Sequence, residues 1–223
     1  MVALHGQAPY KARMQTDLLP IPIAPVLEVL NYAGTAVFAA SGAVLAAQKR
    51  RDLVTFAFFA LATAVGGGTV RDVLIAAPVF WTRENLTLFL CLLVALLVWV
   101  TPVRFWTGRV VLWCDAVGLA AFATYGAAKA LAYGLAPIPA TLMGVFTACL
   151  GGIIRDMLAG EPSIIMRPEL YVTAAALSSG LMVALTVYGV PGYAAAGLAT
   201  AAGLILRGGA LLRRWELPTY GRS

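Results

Sequence analysis

From residue 26 onward the chain alternates between long apolar runs and short polar breaks. A helix that crosses a bilayer needs about 20 mainly apolar residues. Seven runs approach or exceed that length, at 26–47, 53–76, 85–103, 110–132, 137–159, 169–189 and 192–212. The breaks carry charges or turn formers: Lys49-Arg50-Arg51-Asp52, Pro78 with Arg83-Glu84, Pro102 to Arg109, Pro137 with Pro139, and Pro162 to Glu169. The last break is the slightest, because only Val190-Pro191-Gly192 and its neighbours interrupt the stretch 170–206. The pattern predicts an all-α polytopic membrane protein with seven transmembrane helices.

Composition strengthens this reading. Apolar residues make up 61% of the chain and charged residues 12%, against about 25% charge in soluble domains. Residues 1–25 hold Pro9, Pro20, Pro22 and Pro25 and no continuous apolar core, so they read as an extramembrane tail, not a signal peptide. His5 in that tail has no partner pattern. Cys91, Cys114 and Cys149 lie in apolar runs at no metal-binding spacing and read as small buried side chains. No cofactor, metal or catalytic motif is apparent.

Charge sets the orientation. The side reached after spans one, three, five and seven holds Lys49, Arg50, Arg51, Arg104, Arg109, Arg167, Arg207, Arg213, Arg214 and Arg222. The other side holds Lys11, Arg13 and Arg83. The positive-inside rule places the C-terminus in the cytoplasm and the N-terminus outside, in the plasma (inner) membrane. The net charge of +6 is therefore a topology signal and gives no case for nucleic-acid binding.

One sequence pattern occurs twice. Gly66-Gly67-Gly68-Thr69-Val70-Arg71-Asp72 in span two is echoed by Gly151-Gly152-Ile153-Ile154-Arg155-Asp156 in span five, 84 positions on. At the same offset Asn31 aligns with Asp115, Gly34 with Gly118, Phe38 with Phe122, Gly42 with Gly126, Thr63 with Thr147, Pro78 with Pro162 and Arg83 with Arg167. Each copy holds three spans, an odd number, so the second enters the membrane upside down. The expected organisation is a tail (1–25), two inverted three-helix repeats (26–106 and 107–190), a seventh helix (191–212) and a cytoplasmic tail (213–223). Inverted repeats recur in transport proteins, where broken helices at equivalent positions mark the permeation or binding site.

The motif admits two readings. Each interior glycine costs about 1 kcal/mol against alanine, so the triplet predicts a hinge or local unwinding that lines water. The alternative is close helix packing. Each arginine would cost about 2.5–3.5 kcal/mol in a lipid-facing helix centre, which turns Arg71 and Arg155 toward the interior unless they snorkel to the interface. Adjacent residues on a helix point apart. The expected ion pairs are therefore crossed between repeats, Arg71 with Asp156 or Arg155 with Asp72. Span four places Asp115, Gly118, Phe122, Tyr125 and Lys129 on one helical face, and span one places Asn31, Gly34, Phe38, Ser41 and Leu45 on the matching face. Lys129 has no basic counterpart, so the halves differ. It is placed equally for a pore role or for snorkelling.

The paired Gly-Gly-Gly-x-x-Arg-Asp and Gly-Gly-x-x-Arg-Asp motifs, within spans arranged three plus three plus one, resemble the prokaryotic trimeric intracellular cation channel family. The resemblance covers about residues 26–212. It implies a homotrimer among membrane lipids, with a pore in each subunit lined by spans two and five, which are kinked at Gly66, Gly67, Gly68, Gly151 and Gly152. It also implies roles for Arg71, Asp72, Arg155 and Asp156 in the pore or gate, a gating or pore-polar role for Lys129, and passage of potassium with sodium. Related bacterial sequences also carry a glycine-transporter label, which keeps a secondary transporter of a small solute as the alternative.

Overall fold

The computed structural model describes residues 24–106, 108–218 and 220–221. The tail before residue 24, with His5, Lys11 and Arg13, lies outside them. Seven helices appear within a residue or a few of the expected spans: α1 Ala24–Gln48, α2 Leu53–Leu74, α3 Asn85–Val100, α4 Gly108–Ala132, α5 Pro137–Ala159, α6 Val172–Val187 and α7 Gly192–Arg213. Single 3₁₀ turns occupy Phe80–Thr82, Val103–Phe105 and Ile164–Met166. Helices α3 and α6 are short, at 16 residues each, or about 24 Å of rise.

The helix ends follow local chemistry. Asp52 caps α2 by accepting from the Thr55 amide at 2.8 Å. Pro137 begins α5, where its missing N–H is no loss. After α5, Gly160 takes a left-handed conformation with φ 67°, and the Glu161 amide donates back to the Asp156 carbonyl at 2.9 Å. The equivalent residue after α2 is Ala76, at φ 52°, with the Ala77 amide donating to the Asp72 carbonyl at 2.8 Å.

Helices α1, α2, α4 and α5 form the centre. α1 packs on α2 and α4, and α5 on α4 and α2; α3 covers α1 and α2 as α6 covers α4 and α5. α7 lies against α4 and α6. Outward faces are apolar, as on α3, where Leu86, Phe89, Leu93, Leu97 and Val100 are exposed while Thr87, Cys91, Ala95 and Val98 are buried. Such a surface suits hydrocarbon, and backbone polar groups are satisfied within each helix.

The glycine motif corrects one expectation. α2 and α5 run as unbroken α-helix through Gly66–Gly68 and Gly151–Gly152, with no unwound segment. Three successive helical residues point in three directions, and each glycine of the triplet meets a different neighbour. A methyl at Gly66 would strike the Ile154 side chain, at Gly67 the Thr147 carbonyl oxygen, and at Gly68 the Phe80 ring. A methyl at Gly151 would strike the Thr63 carbonyl oxygen. Gly67 meets Thr147, and Gly151 meets Thr63, whose positions correspond at the 84-residue offset. This exchange of contacts is what a local two-fold axis produces. Gly34 against the Phe122 ring and Gly118 against the Phe38 ring repeat it between α1 and α4. The glycines serve close packing instead of an unwound segment, against backbone at Gly67 and Gly151 and against side chains at Gly66 and Gly68.

Gly67→Ala or Gly151→Ala is expected to lower stability by about 1–3 kcal/mol in thermal unfolding of the detergent-solubilised protein. Gly180→Ala, inside α6 with a methyl that would meet only Thr141 Cγ2 at 3.8 Å, should instead raise it by about 0.5–1 kcal/mol. Ala76→Gly should raise stability by about 0.5–1 kcal/mol by relieving the left-handed alanine.

Candidate functional site

Two buried ionic clusters grow from the ends of α2 and α5. Around α2, Asp72 Oδ1 accepts from Arg71 Nε at 2.8 Å and lies 2.7 Å from Arg71 Nη2. The same oxygen lies 2.8 Å from the Lys129 ammonium of α4. Asp72 Oδ2 accepts from the Phe80 amide at 3.0 Å, which ties the following 3₁₀ turn to the helix. The Arg71 guanidinium stacks over Tyr125 at 4.9 Å and over Phe80 at 5.9 Å. Arg71 and Asp72 are 1% and 0% exposed, so neither snorkels. Nearby, Glu84 accepts from the hydroxyls of Tyr32 and Thr87.

Around α5 the same device recurs. Asp156 Oδ1 accepts from Arg155 Nε at 2.9 Å and lies 2.8 Å from Nη2, while Oδ2 accepts from the Ile164 amide at 2.9 Å. The surroundings differ. Arg155 Nη1 donates to Ser41 of α1 and to Asp115 of α4, the latter at 3.2 Å. One carboxylate thus meets two cations at the Lys129 end, and one guanidinium meets two carboxylates at the other. Arg207 of α7, 1% exposed, pairs with Glu169 at 2.7 Å and stacks over Tyr171 at 5.1 Å, extending the second cluster to α7.

The second cluster floors a cavity of about 440 Å³. Its wall includes Ser41, Asp115, Arg155 and Asp156, and its rim includes Lys49, Glu161 and Arg167. Lys49 at the end of α1 pairs with Glu161 beyond α5. The hydrogen bond and charge of Lys49 hold the Glu161 carboxyl below its ordinary range. A depressed carboxylate adds stability above its unfolded pKa and loses it as pH falls through the folded value, so this contact stands at neutral pH and fades in acid. Between the clusters, Phe38 and Phe122 fill the centre, their rings 5.2 Å apart.

The sequence model of the family described as "Glycine transporter" matches this chain twice, at residues 28–102 and 112–187. A UPF0126 membrane protein of Vibrio cholerae is 36% identical over 208 residues, covering 87% of this chain and 83% of the relative. The UPF0126 inner membrane protein YadS of Escherichia coli is 38% identical over 206 residues, covering 86% and 94%. Among solved structures, the TRIC trimeric intracellular cation channel orthologue from Rhodobacter sphaeroides superposes with a TM-score of 0.79 at 39% identity, covering 85% of this chain and 99% of that one. The chain belongs to the TRIC family. A second solved TRIC cation channel matches with a TM-score of 0.78 at 32% identity, covering 88% of this chain and 98% of the other. These neighbours are channels, not enzymes, and the two family matches begin 84 residues apart, the offset of the motif.

Within this TRIC fold the expected site residues come together, with one correction. The ion pairs are not crossed between Arg71 and Asp156 or Arg155 and Asp72. Each arginine bends back to the aspartate beside it, because that carboxylate leaves the helix end toward the amide of the following turn. The crossing between repeats runs through other residues: Lys129 to Asp72, Tyr125 to Arg71, and Ser41 to Arg155. Lys129, 15% exposed in its side chain, is paired inward. Asn31 is buried on α1 at the position matching Asp115. Sequence reasoning missed Arg207, Glu169 and Tyr171, which lie outside the motif; the charge of Arg207 inside the last apolar run was the available signal. It also missed the turn amides, which carry no side-chain signature.

Removing one partner of a buried ion pair costs about 3–5 kcal/mol. Asp72→Asn leaves both Arg71 and Lys129 without their shared carboxylate and should cost that much. Asp156→Asn should cost less, since Arg155 keeps Asp115. Adding Lys129→Met to Asp72→Asn should recover part of the loss. Thermal unfolding in detergent ranks the variants, and equal losses for the two single variants would contradict the assignment.

Proposed function

We propose that the chain is a monovalent-cation channel, conducting potassium and also sodium, with a pathway in each subunit of a homotrimer. The observation that carries this reading is the pair of buried ionic clusters at opposite ends of one route, divided by the Phe38–Phe122 pair. The route runs along the facing sides of α1 and α4, beside the motif ends of α2 and α5. Charge inside a membrane protein is costly and marks ion or substrate routes. The likeness to solved TRIC cation channels supports the same reading and a trimeric assembly. The excess of Lys and Arg on the C-terminal side supports a cytoplasmic C-terminus in a plasma (inner) membrane.

In this reading the buried Phe38–Phe122 pair closes the pathway between the clusters. Opening requires the rings to part, and Lys129 is held to Asp72 across the repeats. Gly67 and Gly151 let the α2 and α5 backbones bear directly on each other, so a shift of one is passed to the other there without a soft side chain between them.

Reconstitution in planar bilayers under a potassium chloride gradient tests the proposal. Unitary currents reversing near the potassium equilibrium potential are expected. Saturable uptake of a small solute such as glycine without unitary currents would replace the channel by a secondary transporter. Phe122→Leu should raise the open probability several-fold, and Lys129→Ala should alter gating. Unchanged records for both variants would remove these residues from the pathway.

A further inference from the structure

The seventh helix has no counterpart in the repeat, yet it carries a buried charge. Arg207 is 1% exposed, with its guanidinium 2.7 Å from Glu169 and stacked 5.1 Å over the Tyr171 ring. Two glycines seat the helix around it. A methyl at Gly203 would strike the Ser178 hydroxyl of α6, and one at Gly208 would strike the Trp113 ring of α4. Arg207 therefore projects from a close-packed backbone.

The chain beyond α7 returns to the same place. The Leu217 amide donates to the Pro168 carbonyl at 2.7 Å, and Glu216 lies opposite Glu169 in a single antiparallel bridge. Residues 168–169 are thus held twice, through backbone by the return segment and through the Glu169 side chain by Arg207. Tyr171 follows two residues later, its amide donating to the Glu169 carbonyl at 2.8 Å.

Tyr171 passes this hold to the second ionic cluster. Its side chain is buried, and its hydroxyl donates to the Asp115 carboxylate, which also accepts from Arg155 at 3.2 Å. Gly152 of the α5 motif leaves room for that hydroxyl, since a methyl there would stand 3.2 Å from it. The first half lacks these parts. Asn85 stands at the position of Glu169, Thr87 at that of Tyr171 and Asn31 at that of Asp115, and the Thr87 hydroxyl is turned to Glu84.

We propose that Arg207 is a positioning residue for the cation route: it holds the Tyr171 phenol, and through it the Asp115 carboxylate, against Arg155, so that the seventh helix fixes the charges at one end of that route. This role rests on the channel reading for its effect on conduction. With the carboxylate held, Arg155 is balanced from two sides, by Asp115 and Asp156. With it released, the guanidinium keeps one close partner, and its less balanced positive charge repels a passing cation.

Planar-bilayer recording and thermal unfolding of the full-length protein test the role with Arg207→Met, Tyr171→Phe and the double variant. Arg207→Met keeps an apolar stem and strands no buried carboxylate, because the Glu169 side chain is 30% exposed. Tyr171→Phe keeps the stacked ring and loses only the hydroxyl. The two changes are therefore coupled only if Arg207 acts through that hydroxyl. Each should lower the unitary potassium conductance by about twofold or more, and the double variant should fall no lower than the weaker single. Arg213→Gln, which removes an exposed positive charge from the same helix, should conduct like wild type. Wild-type unitary conductance in both single variants, with melting lowered, makes Arg207 structural only and overturns the proposal, as do multiplied losses of conductance in the double variant. Melting of the same proteins separates the two readings. Non-additive losses in melting temperature, from a wild type without currents, sustain the link from Arg207 through Tyr171 to Asp115 and sink the channel. Currents in wild type with additive melting losses sink the link and leave the channel.

Discussion

A guanidinium that must sit among apolar helices can be kept charged only by a carboxylate that cannot leave it. In this protein the carboxylate is the next residue in the chain. Asp72 and Asp156 each use one oxygen for the neighbouring arginine and the other for a backbone amide in the turn that follows. The pairing therefore fixes three things together: the arginine rotamer, the end of the helix and the path of the next turn. The buried clusters, the seating of Phe80 and Ile164, and the positions of the facing α4 and α1 side chains all rest on that shared carboxylate.

Around this fixed pair the two halves have diverged in the residues that face it. The contacts that hold the frame are exchanged evenly between the repeats: Gly67 with Thr147, Gly151 with Thr63, and the two phenylalanines with Gly34 and Gly118. Tyr125 and Ser41 occupy equivalent positions and touch equivalent arginines, yet one offers an aromatic face and the other a hydroxyl. Packing conserves symmetry because a lost backbone contact is felt across the core. Polar facing positions are freer to differ, and there the functional asymmetry resides.

Spans, the seven-helix order and the repeat were legible in the sequence because hydrophobic periodicity and bilayer thickness constrain them jointly. The site residues were legible because polar groups in apolar runs are few. Two things were not. Glycines signal weak helix propensity and close packing by the same letters, and only the opposing Thr147 and Thr63 carbonyls decide between them. The spacing argument against neighbouring side chains treats both as projecting from a regular helix. It fails at Arg71-Asp72 and Arg155-Asp156 because long, flexible arginines can fold back along the helix end. Arg207 could be suspected from its position, but its partner Glu169 lies 38 residues away in the connection before α6, a relation no local pattern encodes.

The carboxylate-to-amide ties have a consequence for how such a chain can change over time. Each spans eight residues, from Asp72 to Phe80 and from Asp156 to Ile164. Inserting or deleting one residue in either segment would pull the amide out of reach and strand a buried oxygen. Those two connections are closed to length variation, whereas the loop between α6 and α7 has no comparable tether among the described residues. Homologous chains should therefore hardly differ in the length of these two segments.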